Sequence, residues 1–224
     1  MAALSPHLSE TPLSLDRILG EAGETLETVY FPSSGVVSMV TVLDGGRAVE
    51  SLTVGREGAI GLLAALGSPS WGARGLVQIA GMAWRVSTDH LVAASRAQPA
   101  ILDMAVRYAQ TTEAQLYQSA ACNAAHNIEA RLCRWLLTCE DRMGDSVLPL
   151  TQGYLAMMLG VQRTSVTVAA QALQRQGLID YRRGRVTILD RAGLEKAACG
   201  CYRAVEDAYA RIFARRSASR RARQ

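Results

Sequence analysis

The stretch that decides the fold is TQGYLAMMLGVQRTSVTVAAQALQRQGLIDYRRGRVTIL, residues 151–189. Leu155, Met158 and Leu159 give a short helix an apolar face, Gly160 and Val161 break it into a tight turn, and a second helix is predicted from about Arg163 to Gln176. Within that second helix Val166, Ala169, Ala170 and Leu173 recur at the spacing of a buried face, so packing can hold it while its other side stays free. Gly177 suits a C-cap, and Leu178–Tyr181 and Val186–Leu189 alternate like strands around Arg182, Arg183, Gly184 and Arg185. The pattern predicts a helix-turn-helix followed by a small basic hairpin.

The polar residues of this unit suit double-stranded DNA. A helix lying in the major groove must offer hydrogen bonds to base edges and phosphates from its start and outward side. Here the start is Gln162, Arg163, Thr164 and Ser165, with Thr167, Val168 and Gln171 further along the same side. From Gln162 to Arg185 five arginines stand against Asp180 alone, a local charge of +4 that favours phosphate. The competing reading is a packing unit of three helices whose hairpin is merely solvated.

Composition is that of a globular protein with room for two modest domains: 224 residues, 49% hydrophobic and 20% charged. The charge is uneven. Residues 1–98 hold six arginines against nine carboxylates, −3, and residues 99–224 hold 18 cations against 11 carboxylates, +7. An acidic first half and a basic second half suit a sensing domain followed by a nucleic-acid domain. Lys196 is the only lysine, so nearly all the positive charge is guanidinium, the group suited to bidentate contacts with guanine and phosphate. The first residues lack a basic, apolar leader, and no run approaches the roughly 18 apolar residues needed to span a membrane. A cytoplasmic protein without a membrane partner is expected.

Five cysteines, Cys122, Cys133, Cys139, Cys199 and Cys201, fall in segments that read as helical, and no ligand set is visible among them. The odd count argues against a disulfide framework. Cys199-Gly200-Cys201 alone is a weak metal motif, so buried thiols and no metal site are expected.

From Leu13 to about Val86 short apolar runs are broken by glycine-rich turns; Val29–Phe31, Val36–Leu43, Val49–Val54, Gly75–Ile79 and Ala83–Val86 read as strands of a small sandwich or barrel. Helices are predicted over Asp89–Arg96, Pro99 to about Asn123, Asn127–Met143 and Leu194–Phe213, with a basic tail from Ser217 to Gln224. In the long helix Leu102, Ala105, Ala109, Thr112, Leu116, Ser119 and Asn123 step by threes and fours like the seam between paired helices, which predicts a homodimer. The domains expected are 1–98, a sensor β-barrel; 99–124, a dimerisation helix; 125–216, a winged helix-turn-helix; and 217–224, the tail.

This order resembles the Crp/Fnr family of bacterial transcription regulators. The resemblance runs from about Leu13 to Arg211 and rests on Val29-Tyr30-Phe31-Pro32 leading to Ser34-Gly35-Val36-Val37-Ser38, on Gly55-Arg56-Glu57-Gly58, on the run Ile128 to Leu136, and on the helix-turn-helix from Leu150 to Ile179. It implies an α+β chain: a jelly roll like those that bind cyclic nucleotides, a long dimerisation helix and a C-terminal winged helix-turn-helix. It implies base contacts from Arg163, Thr164, Thr167 and Val168, phosphate contacts from Ser165 and Gln171, a palindromic operator, and RNA polymerase as a further partner. Cyclic-AMP receptors of the family carry a glutamate where this chain has Thr164 and an arginine where it has Val168, so a different operator is expected.

The effector pocket implied by the same resemblance comprises Gly58, Gly61, Leu62, Arg74 and Gly75. Where the family grips ribose with a glutamate and phosphate with an Arg-Ser or Arg-Thr pair, this chain has Leu62 and Arg74-Gly75. Each lost hydrogen bond to a charged group costs about 1.5–3 kcal/mol, so a response to cyclic AMP is not expected. The signal is left unnamed, and no cofactor is predicted. The iron-sulfur subgroup's N-terminal cysteines are absent, and His7, His90 and His126 are scattered along the chain. Two other readings stay open: redox control through Cys122 or Cys199/Cys201, and a ligand-binding module that regulates a protein partner. An enzyme is not expected, because the sequence contains no Ser-His-Asp set, phosphate loop or metal cluster, and His126 and Glu129 fit helix capping better than catalysis.

Overall fold

The structure, a computed structural model, describes residues 3–214. The basic tail expected from Ser217 to Gln224 lies outside the described residues. After a 3-10 turn at Ser5–His7 come strands β1 (Ser9–Leu13), β2 (Ile18–Gly20), β3 (Thr28–Pro32), β4 (Val36–Val42) and β5 (Ala48–Val54), a short helix α1 (Leu62–Leu66), and strands β6 (Arg74–Ile79) and β7 (Gly81–Ser87). They form two antiparallel sheets ordered β1-β7-β3 and β2-β6-β4-β5. The sheets enclose Leu13, Val29, Val37, Val54, Val77 and Val86, each no more than 2% exposed. They are not joined into one closed ring. β1, β2 and α1 were not expected from the sequence: β1 is polar on its outer side (Ser9, Glu10, Pro12), β2 is three residues long, and α1 is a single turn of LLAAL.

Helix α2 (Thr88–Ala97) is capped by Ser87, whose hydroxyl accepts from the His90 N–H, and α3 (Pro99–Ala125) opens with proline in its first turn. Only His126 and Asn127 separate α3 from α4 (Ile128–Met143), and Asn127 caps α4 by accepting from the Ala130 N–H at 2.9 Å. The capping role expected of this junction therefore falls to Asn127. Then follow β8 (Val147–Leu148), α5 (Gln152–Leu159), α6 (Arg163–Arg175), β9 (Ile179–Arg182), β10 (Arg185–Ile188), α7 (Arg191–Ala197) and α8 (Cys201–Ala214). The single last helix expected from Leu194 to Phe213 is two helices. The chain turns extended at Ala198 (ψ 152°), and α8 doubles back along α3 so that Arg107 donates to the Ile212 carbonyl at 3.5 Å.

Packing on the barrel and on α8 together corrects the expected seam on α3. Its buried stripe is Ala105, Tyr108, Thr111, Gln115 and Cys122, so Ala105 faces the barrel core, Thr112 lines the barrel cavity and Ser119 a second cavity described below. The apolar side chains left outside are Leu102, Met104, Val106, Leu116 and Tyr117.

The helical half leans on the barrel through a polar seam. The Glu50 carboxylate accepts from the Trp135 indole at 3.0 Å, from Thr53 at 2.8 Å and from Ser38; Arg142 on α4 pairs with Glu57 at 2.7 Å; Gln78 on β6 donates to the Met158 sulfur at 2.7 Å. Arg142 and Gln78 are buried. Burial alone would lower the Arg142 guanidinium, but Glu57 beside it raises it on balance, so this pair stays charged.

Candidate nucleic-acid interface

Each helix of the reading unit is positioned by an apolar underside. Leu155, Met158 and Leu159 of α5 and Val166, Ala169, Ala170 and Leu173 of α6 are at most 4% exposed, packed on Leu132, Leu136, Ile179 and Val186. Thr151 caps α5 by accepting from the Tyr154 N–H at 3.3 Å. Gly160 ends α5 in the left-handed conformation (φ +61°) that lets the chain turn at once into α6. At the start of α6, Gln162 is extended and makes no side-chain cap, so the first N–H groups of the helix keep their positive end open to an anion.

Of the ten residues expected at DNA, none is buried. Gln162, Arg163, Thr164, Val168, Gln171, Arg182, Arg183 and Arg185 are exposed, and Ser165, Thr167 and the wing turn flank them. The Thr167 hydroxyl donates to the Arg163 carbonyl at 3.0 Å, leaving it an acceptor outward. A groove of about 560 Å³ runs between Thr151 and Gln152 at the start of α5, Thr167 and Gln171 on α6, and Tyr181, Arg183 and Gly184 in the wing. The wing is a two-residue hairpin: Arg182 pairs with Arg185, and Arg183 and Gly184 both have positive φ, +48° and +76°. This is the twisted turn that matches strand twist and throws the Arg183 side chain outward. Arg182 differs from Arg183. It pairs with Asp180 at 3.0 Å, whereas Arg183 has no ion pair among the described residues.

Residues 130–197 match the Crp-like helix-turn-helix domain. They form a Crp-like helix-turn-helix domain. No curated protein matches the chain. Among solved structures, FixK2 from Bradyrhizobium japonicum superposes with a TM-score of 0.75 at 17% identity, covering 86% of this chain and 98% of its own. TTHB099, a CRP-family transcriptional regulator from Thermus thermophilus, gives 0.70 at 22% identity, covering 84% and 96%. CLP, the c-di-GMP responsive global regulator of Xanthomonas campestris, gives 0.68 at 17%, covering 84% and 97%. The fold ahead of and around the Crp-like domain is therefore that of the Crp/Fnr transcription regulators, with a long helix between the sheets and the reader.

In the barrel the residues expected around an effector do not converge. The cavity there is about 150 Å³, below the roughly 300 Å³ at which small-molecule pockets begin, and it is lined mainly by apolar side chains such as Leu26, Met39, Leu52 and Trp71. Gly61 and Leu62 line it, but Arg74 turns to Glu21 at 2.9 Å and is not part of its wall. Gly75 is glycine because of Trp71: a Cβ there would stand 2.7 Å from the indole Cζ3, and one on Gly20 would stand 2.2 Å from Cε2. Gly58 lies against Tyr108, whose hydroxyl burial pushes up to about 12.

A larger cavity, about 360 Å³, lies at the junction of barrel and Crp-like domain, walled by Glu50, Glu57, Gln115, Arg134, Trp135 and Tyr209. Sequence reasoning missed it, because its walls come from β5, α3, α4 and α8 and exist only once α8 has folded back.

The cysteine expectation is corrected here. All five thiols are buried, but Cys122, Cys199 and Cys201 are not without companions. Together with His126 they bring three sulfurs and one imidazole nitrogen within 4.8 Å of one another. Cys122 and His126 are four apart at the end of α3, while Cys199 and Cys201 bracket the start of α8, 77 residues on from Cys122. The set assembles only through the α3–α8 packing, which no local pattern reveals.

Proposed function

We propose that the chain is a cytoplasmic, homodimeric transcription regulator that binds a palindromic DNA site through α6 and the wing. The observation that carries this is the division of α6: four side chains at most 2% exposed lock its inner face, and the outer face presents Arg163, Thr164, Thr167 and Val168 beside an arginine turn. In this reading Arg163, Thr164, Thr167 and Val168 meet bases, Gln162 meets bases or phosphate, and Ser165, Gln171, Arg182, Arg183 and Arg185 meet phosphate. Residues 1–98 act as the sensor, 99–124 as the dimerisation helix and 125–216 as the reader. The exposed Leu102, Val106 and Leu116 on α3 supply the apolar face for pairing. RNA polymerase is the partner such a regulator would touch when bound upstream of a gene. The barrel does not use cyclic AMP: Leu62 offers no ribose acceptor, Arg74 is spent on Glu21, and Trp71 fills the neighbouring space.

Selection from random DNA with reduced, purified protein tests this. Enrichment of a two-fold motif with half-sites about 34 Å apart is expected. No enrichment over nonspecific binding, with or without small-molecule extracts, would overturn the proposal.

A further inference from the structure

We infer that Cys122, His126, Cys199 and Cys201 form a tetrahedral site for one thiophilic divalent ion of the zinc class, fastening the α3–α4 junction to the start of α8. The distances fit one ion. With bonds of about 2.3 Å to sulfur and 2.0–2.1 Å to imidazole, tetrahedral ligand atoms stand roughly 3.5–3.8 Å apart. Cys122 Sγ and Cys199 Sγ are 3.5 Å apart, Cys201 Sγ and His126 Nδ1 are 3.5 Å apart, and no pair in the set exceeds 4.8 Å. An iron-sulfur cluster would spread its protein ligands wider, since they sit on irons that are themselves separated. A disulfide would use two of the thiols and explain neither the third nor the imidazole.

The surroundings point the same way. Gln118, one turn before Cys122 on α3, donates its amide to Cys201 Sγ at 3.0 Å, the outer hydrogen bond that orients a thiolate ligand. Arg131 on α4 has a buried Nε donor without a protein acceptor. Three thiolates and a divalent cation leave one net negative charge; binding releases the thiol protons.

The site sits at a junction with leverage. His126 and Asn127 are the only residues between α3 and α4. Arg131 also donates to Asn123 Oδ1 at 2.8 Å and to the Leu159 carbonyl at the end of α5, so it ties the end of α3 to the helix-turn-helix. The ion would therefore hold the hinge through which any change on α3 must reach α6; this consequence, unlike the site itself, rests on the proposed function.

The test is metal analysis of the full-length protein, purified with reductant, followed by exchange with Co²⁺. One zinc per chain, replaced by one cobalt with the visible bands of a tetrahedral thiolate complex, is expected. Cys199→Ser and Cys201→Ser should lose it, and Gln118→Leu should weaken affinity about 10- to 100-fold. His126→Ala changes an exposed side chain, so it reports on the metal even where the cysteine variants unfold, and it should also lose tight binding. Failure of the wild type to take up zinc or cobalt, uptake undiminished by His126→Ala and Cys201→Ser together, two or more irons with sulfide, or a Cys122–Cys199 disulfide in metal-free protein would each overturn the site. Removal of the ion with a chelator should change affinity for the selected DNA. Affinity unchanged by removal of the ion would overturn the hinge role and leave the site standing, and the metal analysis itself does not depend on whether DNA selection succeeds.

Discussion

Replacing Arg183 by Asn separates the wing's charge from its shape. Arg183 sits at φ +48°, where a residue with a Cβ is strained by about 1–2 kcal/mol and asparagine is among the side chains that tolerate it best. The substitution should therefore keep the hairpin and remove one guanidinium that has no ion pair among the described residues. If that guanidinium meets one phosphate per protomer, a dimer loses two contacts, and the slope of log K against log salt should become shallower by about 1.8. The assay is fluorescence anisotropy with selected and scrambled duplexes over a salt series. Both duplexes should lose affinity by a similar factor, since phosphate contacts carry no base information. Arg182→Asn is the internal control: Arg182 must leave Asp180, 3.0 Å away, before it can serve DNA, so its loss should change the slope less. An unchanged slope for Arg183→Asn, or a loss confined to the selected duplex, would refute the assignment of the wing to the backbone.

Arg163→Ala should instead relax preference at one operator position at a cost of about 1–3 kcal/mol, read by repeating the selection; an unaltered motif would remove it from the base contacts. Gly75→Ser, which restores the hydroxyl-bearing residue of a phosphate grip, should lower urea stability by about 1–3 kcal/mol and confer no cyclic-AMP binding, because its Cβ would meet Trp71 at 2.7 Å. Leu102→Arg with Leu116→Arg, both on exposed positions of α3, should yield a folded monomer by light scattering if that face pairs two chains. Tyr108 supplies a pH test. Burial raises its hydroxyl from 10.0 to about 12, so its contribution to stability is whole below pH 10 and is lost as pH rises through 12. Thermal unfolding of Tyr108→Phe should fall less steeply than wild type over that window.

The reading unit was legible because its signals are local. The buried spacing 166, 169, 170 and 173, the glycine at 160 and the arginine turn at 182–185 each sit within one or two turns of the residues they position. Ion pairing was not legible. Neither Arg182 with Asp180 nor Arg74 with Glu21 follows from spacing, and both change what those arginines are free to do. The seam expected on α3 was misread in part because one helix has two apolar sides: packing on the barrel core turns Ala105 and Tyr108 inward, and the return of α8 covers Cys122. The same return creates the Cys/His set, whose halves lie too far apart in sequence for any motif to join.

These long-range contacts converge on one place. The barrel meets the Crp-like domain through Glu50 with Trp135 and Glu57 with Arg142, polar pairs that a dry apolar interface would not need. Breaking a buried pair leaves a charge uncompensated at a cost of about 3–5 kcal/mol, so the two halves should part together or not at all, rather than slide. Two features flank this seam: the cavity walled by Glu57, Arg134 and Tyr209 on one side, and the Cys122–His126 end of α3 on the other. The barrel interior, closed around Trp71, is the poorer place for a signal to enter. Control of this chain is therefore to be sought at the junction of its halves, where charge is buried and ligating side chains gather, more than in the sheet pocket its fold would suggest.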